Sequence, residues 1–423
     1  MKIYLDTIGC RLNQAEIEAI GRDFRAAGHE IVPSAEAADM AVVNTCAVTA
    51  GAASDSRGAV RRIARAGVSD ITVTGCWATL QRRQAADLVN VKRVIDNRRK
   101  GGLVAEVLHL PREAFDLEPL ARQPLPGLRQ RTRAFIKVQD GCNNHCTFCV
   151  TTIARGAGSS RHVSDVISDI HSAVEGGARE VVLTGVHLGS WGQDLGAHLR
   201  ELIRTVLRQT AVPRLRLSSL EPWDLDAEFF SLWEDPRMCR HLHLPLQSGC
   251  AATLKRMARK TTPGSYRQLV EAARQAMPDV AITTDIIAGF PGETDAEFLE
   301  SLHFVEQMDF AGGHAFTYSP RPGTGAARMP DQVAPQVRKE RNAKYRAAFE
   351  RLAHAYRQRF VGQRLSVLWE STTQVDDSGW QMVGLTGNYL RVSALAPCPM
   401  WNEISEVRLQ SVEGDRLTGV ILR

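Results

Sequence analysis

No run of apolar residues in this chain approaches 18, so no segment is read as a membrane span. The first ten residues lack the basic-then-apolar layout of a secretion signal and carry Asp6 at their middle, so the expectation is a cytosolic protein. Internal repeats and low-complexity tracts are missing. So are the compositional extremes of disordered, collagenous or simple coiled-coil chains, since 44% of residues are hydrophobic and 23% charged. Lysine is scarce, eight of 52 basic residues. The arginine excess suits bidentate phosphate recognition, but GC-rich coding is the blander and favoured cause. Against 47 acidic residues the net charge is +5, too little to indicate an RNA partner by itself. An even cysteine framework is lacking too: nine cysteines argue against disulfides and for cofactor ligation. What remains is an ordinary globular chain of 423 residues, long enough for two or three domains with real cores.

The first hundred residues alternate strand-like and helix-like patterns. Strands are expected at Ile3–Leu5, Met40–Val43, Ile71–Val73 and Val91–Ile95. Helices are expected over Asn13 to Gly28, with Ile17, Ile20, Phe24 and Ala27 on one face, and over Arg57 to Ala66. That alternation predicts a doubly wound parallel α/β sheet in a first domain, residues 1–125. A Pro-spaced linker (Pro111, Pro119, Pro124, Pro126) closes it. In residues 126–335 six strands are expected: Phe135–Val138, Glu180–Leu183, Leu215–Leu217, His241–Leu244, Ala281–Ile287 and Gly313–Phe316. Helices lie between them over Ser164 to Glu175, Leu199 to Gln209, Tyr266 to Ala276 and Asp295 to Met308. Six β/α units in that length predict a partial (β/α)6 barrel rather than a full eightfold one. Residues 336–360 read as a basic helical connector, with eight Lys/Arg from Arg338 to Arg359 against Glu340 and Glu350. Short apolar runs in residues 361–423, such as Leu365–Trp369, Met382–Leu385 and Leu417–Leu422, predict a small all-β barrel.

The strongest chemical signal is Cys142-Asn-Asn-His-Cys146-Thr-Phe-Cys149, just after the first strand of the barrel region. Three thiolates on one tight loop can hold three corners of a cubane and leave the fourth iron open. A structural zinc knuckle with His145 as fourth ligand is the alternative. A second set is dispersed: Cys10, Cys46 and Cys76 each follow a strand of the first domain, where open α/β sheets bind ligands. Gly9 and Gly75 precede two of them and permit close backbone approach. Three unrelated small buried side chains would look the same. Cys239, Cys250 and Cys398 share no such spacing and read as structural. Leu183-Thr-Gly-Val-His187, Ser218-Ser-Leu-Glu221-Pro and Asp285-Ile-Ile-Ala-Gly-Phe-Pro-Gly-Glu293 are strand-to-loop segments at the expected active face, although ordinary turns and helix caps explain the same residues. The basic helix, Arg57, Arg61 and Arg65, and the Arg98–Lys100 run could share phosphate contacts. The terminal barrel, five Arg against seven Asp/Glu, is a poor electrostatic footprint for RNA.

The three-cysteine run with an aromatic before its last member resembles radical S-adenosylmethionine enzymes. Gly9-Cys10, Asn44-Thr45-Cys46 and Gly75-Cys76, with a terminal barrel resembling a TRAM domain, narrow the resemblance to the methylthiotransferases. Leu244-Pro-Leu-Gln-Ser-Gly and Gly289-Phe-Pro-Gly-Glu-Thr match as well. The run from Gly9 to Ile20, with Asn13, Glu16 and Glu18, is most similar to the subgroup acting on threonylcarbamoyladenosine; Ala15 and Ile17 depart from it, and Arg155-Gly156 is kept. The resemblance implies a transferase with two 4Fe–4S clusters and S-adenosylmethionine, one cluster on Cys142, Cys146 and Cys149 and an auxiliary one on Cys10, Cys46 and Cys76. It implies cofactor contacts from Phe148, Thr184, Gly185, Ser219, Glu221, Gln247, Ile286 and Gly289. It further implies a tRNA partner with threonylcarbamoyladenosine beside the anticodon, methylthiolated at adenine C2, and an external electron donor. Isopentenyladenosine in tRNA is the alternative substrate. A non-catalytic, zinc-stabilised RNA-binding protein is the alternative of another class.

Overall fold

The computed structural model describes residues 1–111, 132–376 and 379–422. Pro119, Pro124 and Pro126 of the expected linker lie outside the described residues. The chain forms two compact units, Met1–Asn144 with Val150–Gly176 and Thr184–Val186, and His145–Cys149 with Gly177–Leu183 and His187–Arg423.

In the first unit five strands run parallel: β1 (Lys2–Thr7), β2 (Glu30–Val32), β3 (Met40–Thr45), β4 (Ile71–Gly75) and β5 (Val91–Ile95). Their order, β2-β1-β3-β4-β5, is a doubly wound one that reverses direction between β1 and β3. The central strand β3 is buried at every position. Its alternate residues feed two separate cores, as the two-residue strand period requires. Met40 and Val42 meet Ile17, Ile20 and Phe24 of α1 (Arg11–Ala26), while Ala41 and Val43 meet Ala59, Val60 and Ile63 of α2 (Ala50–Arg65). The expected strands and helices are thus present, with two differences. Strand β2 is only three residues long and offers no period to read. Helix α2 begins at Ala50 because the Thr49 hydroxyl accepts the Ala52 N–H at 3.0 Å, ahead of any apolar stripe. The short α3 (Cys76–Leu80) starts at a cysteine. The strand Arg133–Lys137 and the helices Thr151–Arg155 and Val163–Glu175 also belong to this unit.

The six strands expected from residue 126 to 335 are all present, from Arg133–Lys137 to Gly312–Thr317, in the repeated β/α order of a partial (β/α)6 barrel. Within the second unit Glu180–Thr184, Arg214–Leu217, His241–His243, Ala281–Ala288 and Gly312–Thr317 run parallel through ladder pairs and single bridges. Two of its helices open on reciprocal capping boxes, Thr262 with Ser265 and Thr294 with Glu297. The basic helix is continuous over Pro335–Gln358 and buries Tyr345 and Phe349. Five strands then close the small terminal barrel in the order Arg364–Asp376, Gly379–Thr386, Arg391–Ala396, Arg416–Ile421, Ile404–Glu413. Two strand arginines hold that barrel in place. Arg214 donates to the Leu385 and Ser366 carbonyls (3.0 and 2.7 Å), and Arg216, fully buried and paired with Glu180 at 2.7 Å, donates to the Gly387 and Thr386 carbonyls. Among the described residues no helix is long and apolar enough to cross a membrane.

Candidate functional site

Cys10 follows β1 by three residues, Cys46 directly follows β3, and Cys76 directly follows β4, so all three stand at strand carboxyl ends around the reversal in strand order. Gly9 has φ +109°, and a Cβ there would lie 2.5 Å from Cys46 Cβ and 2.7 Å from its Sγ. Gly75 has φ +97°, and a Cβ would lie 2.2 Å from the Thr45 carbonyl oxygen. Only glycine lets these two loops close on the third. Cys46 and Cys76 are buried and Cys10 is exposed. Burial pushes the Cys46 thiol up to about 11; the Val48 N–H opposes this, and Cys10 and Cys76, both within electrostatic range, add to it. The Cys10 thiol lies 3.8 Å from Asn13 Oδ1, and Asn97 Nδ2 lies 3.6 Å from Cys76 Sγ. In the first contact the thiol donates; the second, an amide N–H aimed at sulfur, is the kind that orients a metal-binding thiolate.

Beside this triad the first unit buries an ionic cluster. The Glu16 carboxylate, 4% exposed, accepts Lys100 Nζ at 2.7 Å, Arg155 Nη1 at 2.8 Å and Lys137 Nζ at 3.1 Å. Asp140 accepts Lys137 at 2.6 Å and Arg155 at 2.9 Å. Burial alone would raise the Glu16 pKa, but Lys100, Arg155 and Lys137 outweigh it and hold the carboxyl well below its ordinary range. Asn44, near the end of β3, donates to Glu16 and to the Asn13 carbonyl and accepts Lys100 at 3.0 Å. Glu16 and Arg155 appear in the matching motifs, and Lys100 was expected only as a phosphate contact. The structure instead buries Lys100 against Glu16, so it is not a surface cation. Nothing in the local sequence marks that role.

Along the run Cys142 to Cys149, Cys142 belongs to the first unit and Cys146 and Cys149 to the second. The Asn144 N–H points at Cys142 Sγ (3.4 Å), and the Cys142 N–H donates to the Gly156 carbonyl at 3.1 Å. In the second unit Arg259 Nη1 lies 3.8 Å from Cys146 Sγ, while its Nη2 donates to Glu221 at 2.7 Å and to the Pro245 carbonyl at 2.6 Å. Its guanidinium covers Trp223, 4.4 Å from the ring centre. Burial raises the Cys146 thiol pKa and Arg259 opposes it. Arg259 escaped sequence reading, since 113 positions separate it from Cys146.

The other expected contacts are dispersed over the strand ends. Phe148 packs edge-on against Phe290 at 6.4 Å. Thr184, buried at the end of its strand, accepts the Val138 N–H through its carbonyl, and Gly185 follows it. Ser219 bridges His243, and Gln247, with φ +74°, bridges buried Ile286. At Gly289 the space for a Cβ is taken by Arg338 Cγ at 2.4 Å, which gives this glycine a packing reason of its own. His187 pairs with Asp224 at 2.6 Å, both nearly buried. Cys239 is buried 3.7 Å from Glu180 in the Arg216 cluster, as a structural cysteine would be, Cys250 is buried, and Cys398 is exposed.

Among the described residues no three His, Cys, Asp or Glu side chains are arranged to hold a single metal ion. A four-iron cubane takes each thiolate on a different iron, so its ligands stand further apart than those of one tetrahedral ion. Three cysteines at the ends of neighbouring strands, on loops that Gly9 and Gly75 allow to close together, fit that larger group.

Residues 2–96 match a family described as uncharacterized protein family UPF0004, and residues 136–305 match the Radical SAM superfamily. The threonylcarbamoyladenosine tRNA methylthiotransferase MtaB of Bacillus subtilis is 33% identical over 95% of this chain and 92% of its own length. A tRNA-2-methylthio-N(6)-dimethylallyladenosine synthase of Acidothermus cellulolyticus is 36% identical, over 86% of this chain and 76% of its own. Among solved structures, the radical S-adenosylmethionine methyltransferase TsrM of Kitasatospora setae superposes with a TM-score of 0.59 at 14% identity, covering 77% of this chain and 75% of that one. This last likeness speaks to the fold alone.

Proposed function

The chain belongs to the radical S-adenosylmethionine methylthiotransferase family, and from that premise we propose that it converts threonylcarbamoyladenosine in tRNA to its 2-methylthio derivative. The observation that carries the reading is the shared placement of Cys10, Cys46 and Cys76 at strand carboxyl ends beside the reversal in strand order. The run from Gly9 to Ile20, with Asn13, Glu16 and Glu18, and the 33% identity to the Bacillus subtilis relative over 95% of this chain favour threonylcarbamoyladenosine over the dimethylallyl substrate.

The enzyme uses two 4Fe–4S clusters and S-adenosylmethionine: one cluster with S-adenosylmethionine would supply the radical that takes hydrogen from adenine C2, the other would supply the sulfur, and a second S-adenosylmethionine the methyl group. Cys142, Cys146 and Cys149 would hold the first, Cys10, Cys46 and Cys76 the second. Around the first, Arg259 places a cation against Cys146 and fixes Glu221, which suits a carboxylate meant to receive a ribose hydroxyl or an ammonium group. Phe148, packed on Phe290, excludes water from that side, as radical chemistry at an inert C–H requires. The exposed basic residues of the helix Pro335–Gln358, with Arg57, Arg61 and Arg65 of α2, are the proposed phosphate contacts. An external donor supplies electrons, and the place of action is the cytoplasm.

The test is iron and sulfide content after anaerobic reconstitution of the wild type and of a Cys142/Cys146/Cys149→Ala triple variant, followed by tRNA assays. About eight irons falling to about four is expected, with product from tRNA carrying threonylcarbamoyladenosine and none from tRNA carrying isopentenyladenosine. Zinc in place of iron would return the reading to a binding protein.

A further inference from the structure

Among the described residues, three cations, Lys100, Lys137 and Arg155, meet two carboxylates, Glu16 and Asp140, in the ionic cluster of the first unit. The imbalance is sharpest where burial is deepest. Lys100, Arg155 and Glu16 have side chains only 6%, 3% and 4% exposed, two cations to one anion. An uncompensated buried charge is costly, and natural proteins keep one only where something pairs with it. Two amides tie the cluster to the cysteines. Asn13 Oδ1, 3.8 Å from Cys10 Sγ, is the same atom that accepts Arg155 Nη2 at 2.9 Å. Asn97 Nδ2, 3.6 Å from Cys76 Sγ, also donates to the carbonyl of Ala154, the residue before Arg155. Cys76 lies within electrostatic range of both Lys100 and Arg155.

We propose that this buried positive surplus is the fixed counter-charge of the anionic group held by Cys10, Cys46 and Cys76, and that Lys100 is a positioning residue that raises that group's reduction potential. The inference rests on the assignment of those cysteines to the auxiliary cluster. Three thiolates make such a cluster anionic, and its potential follows net charge and the charges around it. A cation fixed beside it stabilises the reduced, more negative state. Removing the cation therefore lowers the midpoint, and removing the neighbouring carboxylate raises it. A purely structural role would not give opposite signs.

The experiment is a redox titration, followed by electron paramagnetic resonance, of the full-length Cys142/Cys146/Cys149→Ala protein, alone and with Lys100→Met, Lys100→Arg, Lys137→Gln or Glu16→Gln added. Lys100→Met is expected to lower the reduced-to-oxidised ratio about tenfold at a given potential, about 59 mV for one electron. Lys137→Gln, at a side chain 27% exposed, lowers it less and guards against a Lys100→Met protein that does not fold. Glu16→Gln raises the ratio and Lys100→Arg leaves it unchanged. Iron and sulfide stay at about four each in every case. Full iron with a midpoint that does not move in Lys100→Met and Lys137→Gln, or that moves the same way in Lys100→Met and Glu16→Gln, overturns the inference alone. A triple variant that takes up no iron overturns the cluster assignment, and the inference with it.

Discussion

Cys142, Cys146 and Cys149 share one eight-residue run, whereas Cys10, Cys46 and Cys76 sit on three loops that only the sheet brings together. The partners differ in kind as well. In the second unit Arg259 reaches Cys146 directly and is itself held by Glu221. In the first unit Arg155 is held by Asn13, whose Oδ1 also faces Cys10, and Asn97 links Cys76 to the Ala154 carbonyl. A local run carries its own geometry. A dispersed triad depends on the register of β1, β3 and β4, and so on the core and on the ions that fix α1 against it. Damage to the first unit's interior should therefore reach its iron, while the cysteine run should respond only to its immediate neighbours.

The largest expected effect tests that dependence by sterics alone. Gly9→Ala sets a Cβ inside contact with Cys46 and should lose about four of eight irons, with methylthiolation at background and S-adenosylmethionine cleavage retained. Cleavage falling in parallel would show that the two triads are not separately supported. Next comes Glu16→Ala, which leaves Lys100 and Arg155 buried without their carboxylate and should cost about 3–5 kcal/mol, read as an earlier chemical-denaturation midpoint. Because the folded Glu16 pKa is depressed, its contribution is fully present above the ordinary carboxyl range and is lost as pH falls towards the folded value. An acid-unfolding profile should thus shift more for the wild type than for Glu16→Gln. Arg259→Gln, acting at the other triad, should lower S-adenosylmethionine cleavage about 10–100-fold with first-unit iron unchanged. Cys398→Ser, exposed and remote from either set in sequence, should move stability by less than about 0.5 kcal/mol and leave iron content alone.

The same contrast sorts what could be read from the residues. The cysteine run is legible at a glance, because all its geometry lies in adjacent positions. The dispersed triad is legible one step further on, because β-branched runs such as Met40–Val43 and Ile71–Val73 mark where strands end and hence where Cys46 and Cys76 must stand. Six barrel strands and the helices between them follow from the same periodicities, and Thr294-Asp-Ala-Glu297 announces its own helix start. What escapes is convergence over distance. Lys100 looks like the end of an exposed basic run, and only the folded sheet turns it inward to Glu16, 84 positions away. Arg259 follows an unremarkable Met-Ala pair, and nothing local aims it at Cys146. Helix α2 likewise starts on a capping hydroxyl among small residues, where hydrophobic period is silent.

Arg155 joins the first unit although it lies beyond the cysteine run, 139 positions after Glu16. This places an order on synthesis. At about 5–20 residues per second, roughly 7–28 seconds pass between the making of Glu16 and of its arginine. Until then α1 emerges with a carboxylate facing inward and part of its cationic escort unmade. The sheet that carries Cys10, Cys46 and Cys76 can therefore acquire its full set of buried cations only after the ribosome has passed Cys149.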